Sequence, residues 1–250
     1  MKDEKFIAVQ GLCKRLGRQE VLRGVDLEVG LGETVVILGR SGGGKSVFLK
    51  HLIGLMKPNS GQILVEGQDL VKLNERQLAV VRKKVGILFQ SAALFDSMSV
   101  EENIAFPLLE SGIKDQKVID QKVAEALDMV DLSGEQKKMP ENLSGGMKKR
   151  VGLARAIVSA PRCILYDEPT TGLDPIVSDS INRLIRRLQK RLGVTSIVVT
   201  HDMKSAFHVA DRIAFLHDGR IYFSGTPEEL KGFNDPLIQD FINGYSGEID

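Results

Sequence analysis

The stretch Gly39-Arg40-Ser41-Gly42-Gly43-Gly44-Lys45-Ser46 constrains the fold more than any other part of the 250-residue chain. It fits the pattern Gly-x-x-x-x-Gly-Lys-Ser/Thr, and the elements that such a loop requires lie on both sides of it. Upstream, the apolar, β-branched run Thr34-Val35-Val36-Ile37-Leu38 is expected to form a buried parallel strand. Downstream, Phe48, Leu49, Leu52 and Ile53 recur at helical spacing. Glycines at the bend let successive backbone N–H groups converge over a helix N-terminus, a concave donor set that selects a polyphosphate. Lys45 is expected to reach the β- and γ-phosphates as a point charge, Ser46 to hold Mg²⁺ through its hydroxyl, and Val47 to continue the cradle into the helix. A glycine-rich turn without a ligand is the plain alternative, and strand, helix and spacing occurring together weigh against it.

The rest of the chain supplies groups at the same edge of a sheet. Residues 6–31 alternate apolar and polar positions with Gly11, Gly17, Gly24 and Gly30 between them, which predicts short antiparallel strands. Val85-Gly86-Ile87-Leu88-Phe89-Gln90 predicts a second buried strand carrying Gln90 at its end. Residues 91–160 then lose the strand pattern, with Val123, Ala126, Leu127 and Val130 on one helix face and Met147, Val151, Leu153, Ala154 and Ile157 on another. This predicts a helical subdomain inserted between two parts of a core, residues 1–90 and 161–250. Within it, Leu143-Ser144-Gly145-Gly146-Met147 leads into a helix with Ser144 as N-cap, a second place where an anion can approach backbone N–H groups. The following Lys148-Lys149-Arg150 reads as a solvated face.

Cys163-Ile164-Leu165-Tyr166-Asp167-Glu168 is an apolar strand ending in two acids, where open α/β sheets bind ligands. Asp167 is placed to help hold Mg²⁺ and Glu168 to orient or deprotonate an attacking water. Val194 to Thr200 is a further strand with His201 at its end, suited to sensing a γ-phosphate. The cationic Arg186, Arg187, Lys190 and Arg191 near a helix C-terminus suit its dipole and require no other role. Lys+Arg 34 against Asp+Glu 33 gives a net charge of +1, so no global field points to nucleic acid or an anionic membrane. Cys13 and Cys163 lack metal-ligand spacing and read as reduced thiols of a cytosolic protein, Cys163 as a small buried hydrophobe. No apolar run approaches the roughly 20 residues that span a bilayer, and the charged start has no apolar segment behind it, so any membrane role is expected to run through a partner.

With these pieces in place, the chain resembles the ATP-binding subunits of ABC transporters over nearly its whole length. Leu143-Ser144-Gly145-Gly146 resembles the signature motif of that family and narrows what the phosphate loop alone leaves broad. The resemblance implies an α/β P-loop NTPase fold with a mostly parallel core sheet, an N-terminal antiparallel β subdomain and an inserted helical subdomain. It implies ATP as cofactor with Mg²⁺, Gln90 as the Q-loop contact to nucleotide and metal, Asp167 as the Walker B acid, Glu168 as the catalytic glutamate, Thr171 to Asp174 as the D-loop and His201 as the switch histidine. It also implies a head-to-tail homodimer in which Ser144, Gly145 and Gly146 of one chain meet the ATP held by residues 39–47 of the other. The adenine contact is left open, because the expected aromatic position falls near Lys14, Arg15 and Leu16.

A finer resemblance rests on Phe89 to Met98, on Glu102 to Leu108, and on Met147 where most relatives carry glutamine. These stretches are similar to the ATPases of Mla and Mce lipid transport systems. That likeness implies lipid cargo, a pair of integral membrane permeases, a periplasmic Mce-domain partner and a place on the cytoplasmic face of a bacterial inner membrane. Leu94, Phe95, Phe106 and Leu108 are then expected either to accept a permease helix or to fill the helical core, and one stretch can serve both. The sequence ends at Asp250, so a clasp of a neighbouring subunit by a longer tail, as in some relatives, is not expected. A small-solute transporter is the alternative reading; a soluble ABC protein acting on ribosomes or DNA and a small phosphotransferase fit less well.

Overall fold

Two twelve-residue strands, β1 (Lys5–Leu16) and β2 (Gln19–Gly30), open the computed structural model, which describes residues 5–245. The first four residues of the charged start and the final residues 246–250, on which the expectation about a short tail falls, lie outside the described residues. The chain continues through β3 (Thr34–Leu38), α1 (Lys45–Leu52), β4 (Ser60–Val65), β5 (Gln68–Asp69), α2 (Glu75–Arg82) and β6 (Val85–Leu88). Three helices follow, α3 (Val100–Glu110), α4 (Gln116–Met129) and α5 (Gly145–Ile157). The last part comprises β7 (Cys163–Asp167), α6 (Pro175–Leu192), β8 (Thr195–Thr200), α7 (Met203–Val209), β9 (Arg212–His217), β10 (Arg220–Gly225), α8 (Pro227–Gly232) and α9 (Pro236–Asn243).

The strands form a four-stranded antiparallel sheet, β2-β1-β4-β5, and a six-stranded sheet, β10-β9-β3-β8-β7-β6. In the larger sheet β9, β3, β8, β7 and β6 run parallel, and only β10 is antiparallel, joined to β9 as an edge hairpin. Such a sheet is covered on both faces, and its central strands are shielded from water: all of β3 and all of β8 are buried. Side chains of β3 alternate between two cores. Val36 and Leu38 join the helices α3 to α7, whereas Val35 and Ile37 face the antiparallel sheet and α1. The helices between β6 and β7 share the first of these cores with the large sheet rather than building one of their own.

The structure corrects the expectation of short N-terminal strands. Gly11 and Gly24 do not end strands; they lie within β1 and β2, where the pairing register shifts, and both have positive φ. A bulge bends a strand and keeps it paired, so one long twisted hairpin replaces several short pieces. The predicted strand through Gln90 ends at Leu88, and α2 precedes it, begun by a capping box between Asn74 and Gln77.

Candidate functional site

The parallel strands deliver their C-terminal ends to one edge. There β3 runs into the loop Gly39–Gly44, β7 ends at Asp167 with Glu168 next, and β8 ends at Thr200 with His201 next. Gln90 follows β6 by two residues, is exposed, and brings its backbone carbonyl to the same neighbourhood.

The loop is tightly built. A Cβ at Gly39 would lie 2.5 Å from Leu216 O, one at Gly43 3.0 Å from Arg40 O, and one at Gly44 2.9 Å from Val21 Cγ1. Gly42 and Gly44 have positive φ, and Gly44 is the N-cap of α1 without a side-chain cap, which leaves the first N–H groups of the helix for a ligand. Arg40, Ser41 and Gly42 form the exposed outer rim, and Val47 lies half-buried in the first turn. Lys45 is folded over the loop and buried, its Nζ donating to Gly39 O at 2.8 Å and Arg40 O at 3.0 Å and lying 3.4 Å from Glu168 Oε1.

Ser46 Oγ donates to Asp167 Oδ1 at 2.9 Å. Burial raises the Asp167 pKa, an effect that the Ser46 hydrogen bond opposes and the neighbouring Glu168 charge reinforces. A half-desolvated carboxylate beside a hydroxyl is the hard-oxygen pair that suits Mg²⁺, which takes one or two protein oxygens and completes its shell with phosphate and water. No cluster of three His, Cys, Asp or Glu side chains forms an all-protein metal cage among the described residues. The Ser46–Asp167 pair is the donor set that would fit Mg²⁺.

Glu168 is buried and left-handed, with φ 48°, a conformation that costs an L-residue about 1–2 kcal/mol. Its backbone N–H donates to Val199 O at 2.9 Å, which ties the bend to β8. The bend turns the carboxylate into a polar cluster: Oε1 faces Lys45, and Oε2 accepts from Thr171 Oγ1 at 3.2 Å and meets His201 Nδ1 at 2.9 Å. A carboxylate only accepts, so His201 carries its proton on Nδ1 in this contact. Glu168 is thus gripped by the phosphate-loop lysine, by the strand-end histidine and by Thr171 of the following turn.

Ser144 caps α5, accepting from Met147 N at 3.3 Å, with Ser144 and Gly145 exposed. Gly146 leaves room for Val177, whose Cγ1 would lie 2.6 Å from an added Cβ, and Gly145 does the same for Leu173. This turn packs on the start of α6. Among the described residues no side-chain hydrogen bond joins it to residues 39–46 or to Asp167 and Glu168.

The cations after it correct the expectation of a solvated face. Lys149 is 5% exposed, and its Nζ donates to Gln90 O at 2.5 Å and to Glu168 O at 3.2 Å. Arg150 donates to Val130 O, Asp131 and Ser180 Oγ. A helix turns 100° per residue, so three adjacent cations cannot share one face. The sequence carried the signal: Lys149 is spaced with Gly152, Leu153 and Ala156, all buried. Arg186 and Arg187 of α6 likewise hold Asp211 and Asp131.

Beyond Gln90 the chain forms a groove of about 850 Å³, lined in part by Phe89, Phe95, Phe106, Leu108, Ile113 and Arg155. Phe95 is 42% exposed and its ring lies 4.9 Å from that of Phe106, whereas Leu108 is buried and Leu94 packs on the helical core. Buried Asn103, to which the sequence assigned no role, holds this loop by accepting from Phe95 N and donating to Phe95 O, Met98 O and Ser99 O.

Comparisons with known proteins place the chain in a family. The family model described as ABC transporter matches residues 22–171, more than half of the chain. A probable ribonucleotide transport ATP-binding protein, mkl, of Mycobacterium leprae is 42% identical over 95% of this chain, which spans 69% of that protein. The intermembrane phospholipid transport ATP-binding protein MlaF of Haemophilus influenzae is 40% identical over 98% of this chain and 92% of its own length. The Fe(3+) ions import ATP-binding protein FbpC of Vibrio cholerae is also 40% identical, over 100% of this chain and 71% of its own. Among solved structures, the dimeric ATP-binding cassette MJ0796 in a post-hydrolysis state bound to ADP and Pi superposes with a TM-score of 0.81 at 31% identity, covering 88% of this chain and 98% of that one. The chain belongs to the ABC transporter family and is one of its ATP-binding, ATP-hydrolysing proteins.

Proposed function

We propose that the chain is the energy-coupling ATPase of a lipid transporter of the Mla and Mce type, acting as a head-to-tail homodimer beneath a pair of integral membrane permeases on the cytoplasmic face of a bacterial inner membrane. The observation that carries the ATPase part is the convergence of Lys45, Ser46, Asp167, Glu168 and His201 on one sheet edge. In this reading residues 39–47 hold the phosphates of ATP, and Ser46, Asp167 and Gln90 hold Mg²⁺, which supplies charge neutralisation of the phosphates when bound. Glu168 takes or orients the proton of the attacking water while His201 fixes its carboxylate. Ser144 and Gly145, exposed, and the half-buried Gly146, with no side-chain hydrogen bond to their own phosphate loop, face the nucleotide of a partner chain. Residues 91–160 act as the helical subdomain that carries this second contact.

The lipid reading is supported by likeness to MlaF over nearly the full length of both chains, together with Met147 and the Phe89 to Leu108 stretch. The exposed Phe95 and the half-buried Phe106 beside the groove suit a permease helix. Equal identity to an iron importer keeps a small-solute transporter as the second reading.

No described helix is long and apolar enough to cross a membrane, so the test runs through partners. Tagged Glu168→Gln protein, recovered from detergent-solubilised membranes with ATP and Mg²⁺, is expected to bring down a polytopic permease, an Mce-domain protein and phospholipid, identified by mass spectrometry. A permease without lipid or Mce-domain protein would move the cargo to small solutes. Recovery only with ribosomes or DNA would overturn the transporter reading.

A further inference from the structure

Lys149 is a buried ammonium outside every contact that the proposed chemistry requires. Taking such a charge out of water is expensive, and an apolar side chain on that face of α5 would join Leu153 and Ala156 in the core without the penalty. Its two acceptors are specific. One is the carbonyl of Gln90, at the head of the loop after β6; the other is the carbonyl of Glu168, in the strained left-handed residue at the end of β7. The Glu168 peptide is therefore held at both ends, its N–H by β8 and its C=O by α5.

A second cation on α5, Arg155, donates to Ala92 O at 2.6 Å and Ala93 O at 2.7 Å, and both alanines have positive φ. Two side chains six positions apart on one helix thus hold three of the four carbonyls of the segment from Gln90 to Ala93. Only Lys149 also reaches the candidate catalytic residue.

We propose that Lys149 is a positioning residue for hydrolysis: it ties the orientation of Glu168 to the seating of α5 and of the Gln90 loop. A displacement of the signature helix or of that loop then withdraws a donor from the Glu168 carbonyl and lets the strained bend relax, turning its carboxylate away from Lys45 and His201. The inference rests on Glu168 acting at the attacking water.

Single-turnover ATP hydrolysis by the full chain, with ATP affinity measured in parallel by equilibrium titration, tests it. Wild type, Lys149→Met and Lys149→Arg are compared, each alone and combined with Glu168→Gln. Lys149→Met is expected to lose on the order of tenfold to a hundredfold in rate with ATP affinity unchanged, because a small misplacement of a catalytic group is costly. Lys149→Arg, which keeps the charge and the donors, should recover part of the rate. In the Glu168→Gln background the same change should cost almost nothing, since residues acting as a unit are not additive. A Lys149→Met rate equal to wild type, a loss of affinity in step with rate, or the same proportional loss without Glu168 would each overturn the role of Lys149. Wild-type turnover in Glu168→Gln alone would remove the Glu168 reading and the inference with it.

Discussion

His51 shows how one side chain fixes a response to pH. It is fully buried on α1, with Nδ1 2.7 Å from Val47 O and Nε2 without a partner among the described residues. Burial holds its pKa below the usual 6.5; the Val47 hydrogen bond opposes this and the Lys14 charge adds to it. A depressed histidine pKa means that the unfolded chain binds the proton more readily. Stability is therefore unaffected well above 6.5 and falls as pH drops through 6.5 towards the folded value. Thermal midpoints measured without nucleotide should fall between about pH 7 and pH 5, and His51→Gln should flatten that slope whatever it does to the midpoint itself. An unchanged slope would assign the acid sensitivity elsewhere. The same helix carries Lys45, whose contacts are all on the nucleotide side, so proton uptake at His51 loosens the platform rather than the phosphate contact.

At the scale of elements, the approach of α5 to β6 decides where Lys149 lies. Gly86 of β6 has no room for a side chain: a Cβ there would sit 2.3 Å from Ala156 O, and one at Gly152 2.7 Å from Leu88 Cδ1. Because the Gly86 obstacle is backbone, Gly86→Ala must push the helix away. The expected cost is about 1–3 kcal/mol, as for other overpacked cores, and a midpoint lowered by about 2–4 °C per kcal/mol in a chain of this size. A neutral Gly86→Ala in thermal unfolding would mean that the helix slides without penalty. What could be read from the sequence divides along this line. The phosphate loop, the acids at the end of β7 and His201 were legible because each is a local pattern of an apolar strand running into polar residues. The carbonyl partners of Lys149 and Arg155 were not, because donations to backbone carbonyls about sixty residues away leave no mark on spacing, and the local bracing by Asn103 has no periodic signature either. Gly11 and Gly24 were misread for a related reason: a glycine marks positive φ equally well in a turn and in a bulge.

For the whole molecule, no side-chain hydrogen bond among the described residues joins the two glycine-rich helix starts, and the proposed head-to-tail dimer would bring them together across two chains. Ile176, 83% exposed in the first turn of α6, stands beside the Asp174 cap and one residue from Val177, which packs on Gly146. A bare isoleucine next to the exposed signature turn suits burial against a partner chain. In Glu168→Gln protein with ATP, Ile176→Glu should weaken the dimer on the order of tenfold by sedimentation while leaving the monomer midpoint unchanged. Equal dimerisation would move the interface off this edge. The five residues of β3 carry a last consequence, for how such a chain can drift over generations. Because the side chains from Val35 to Leu38 enter opposite cores by turns, none of these four positions is free to vary in polarity or bulk, and a change that suits one core does nothing to excuse its neighbour in the other. The strand that presents the phosphate loop is thereby policed from both sides, and novelty in this fold is left to the exposed connections around the sheet.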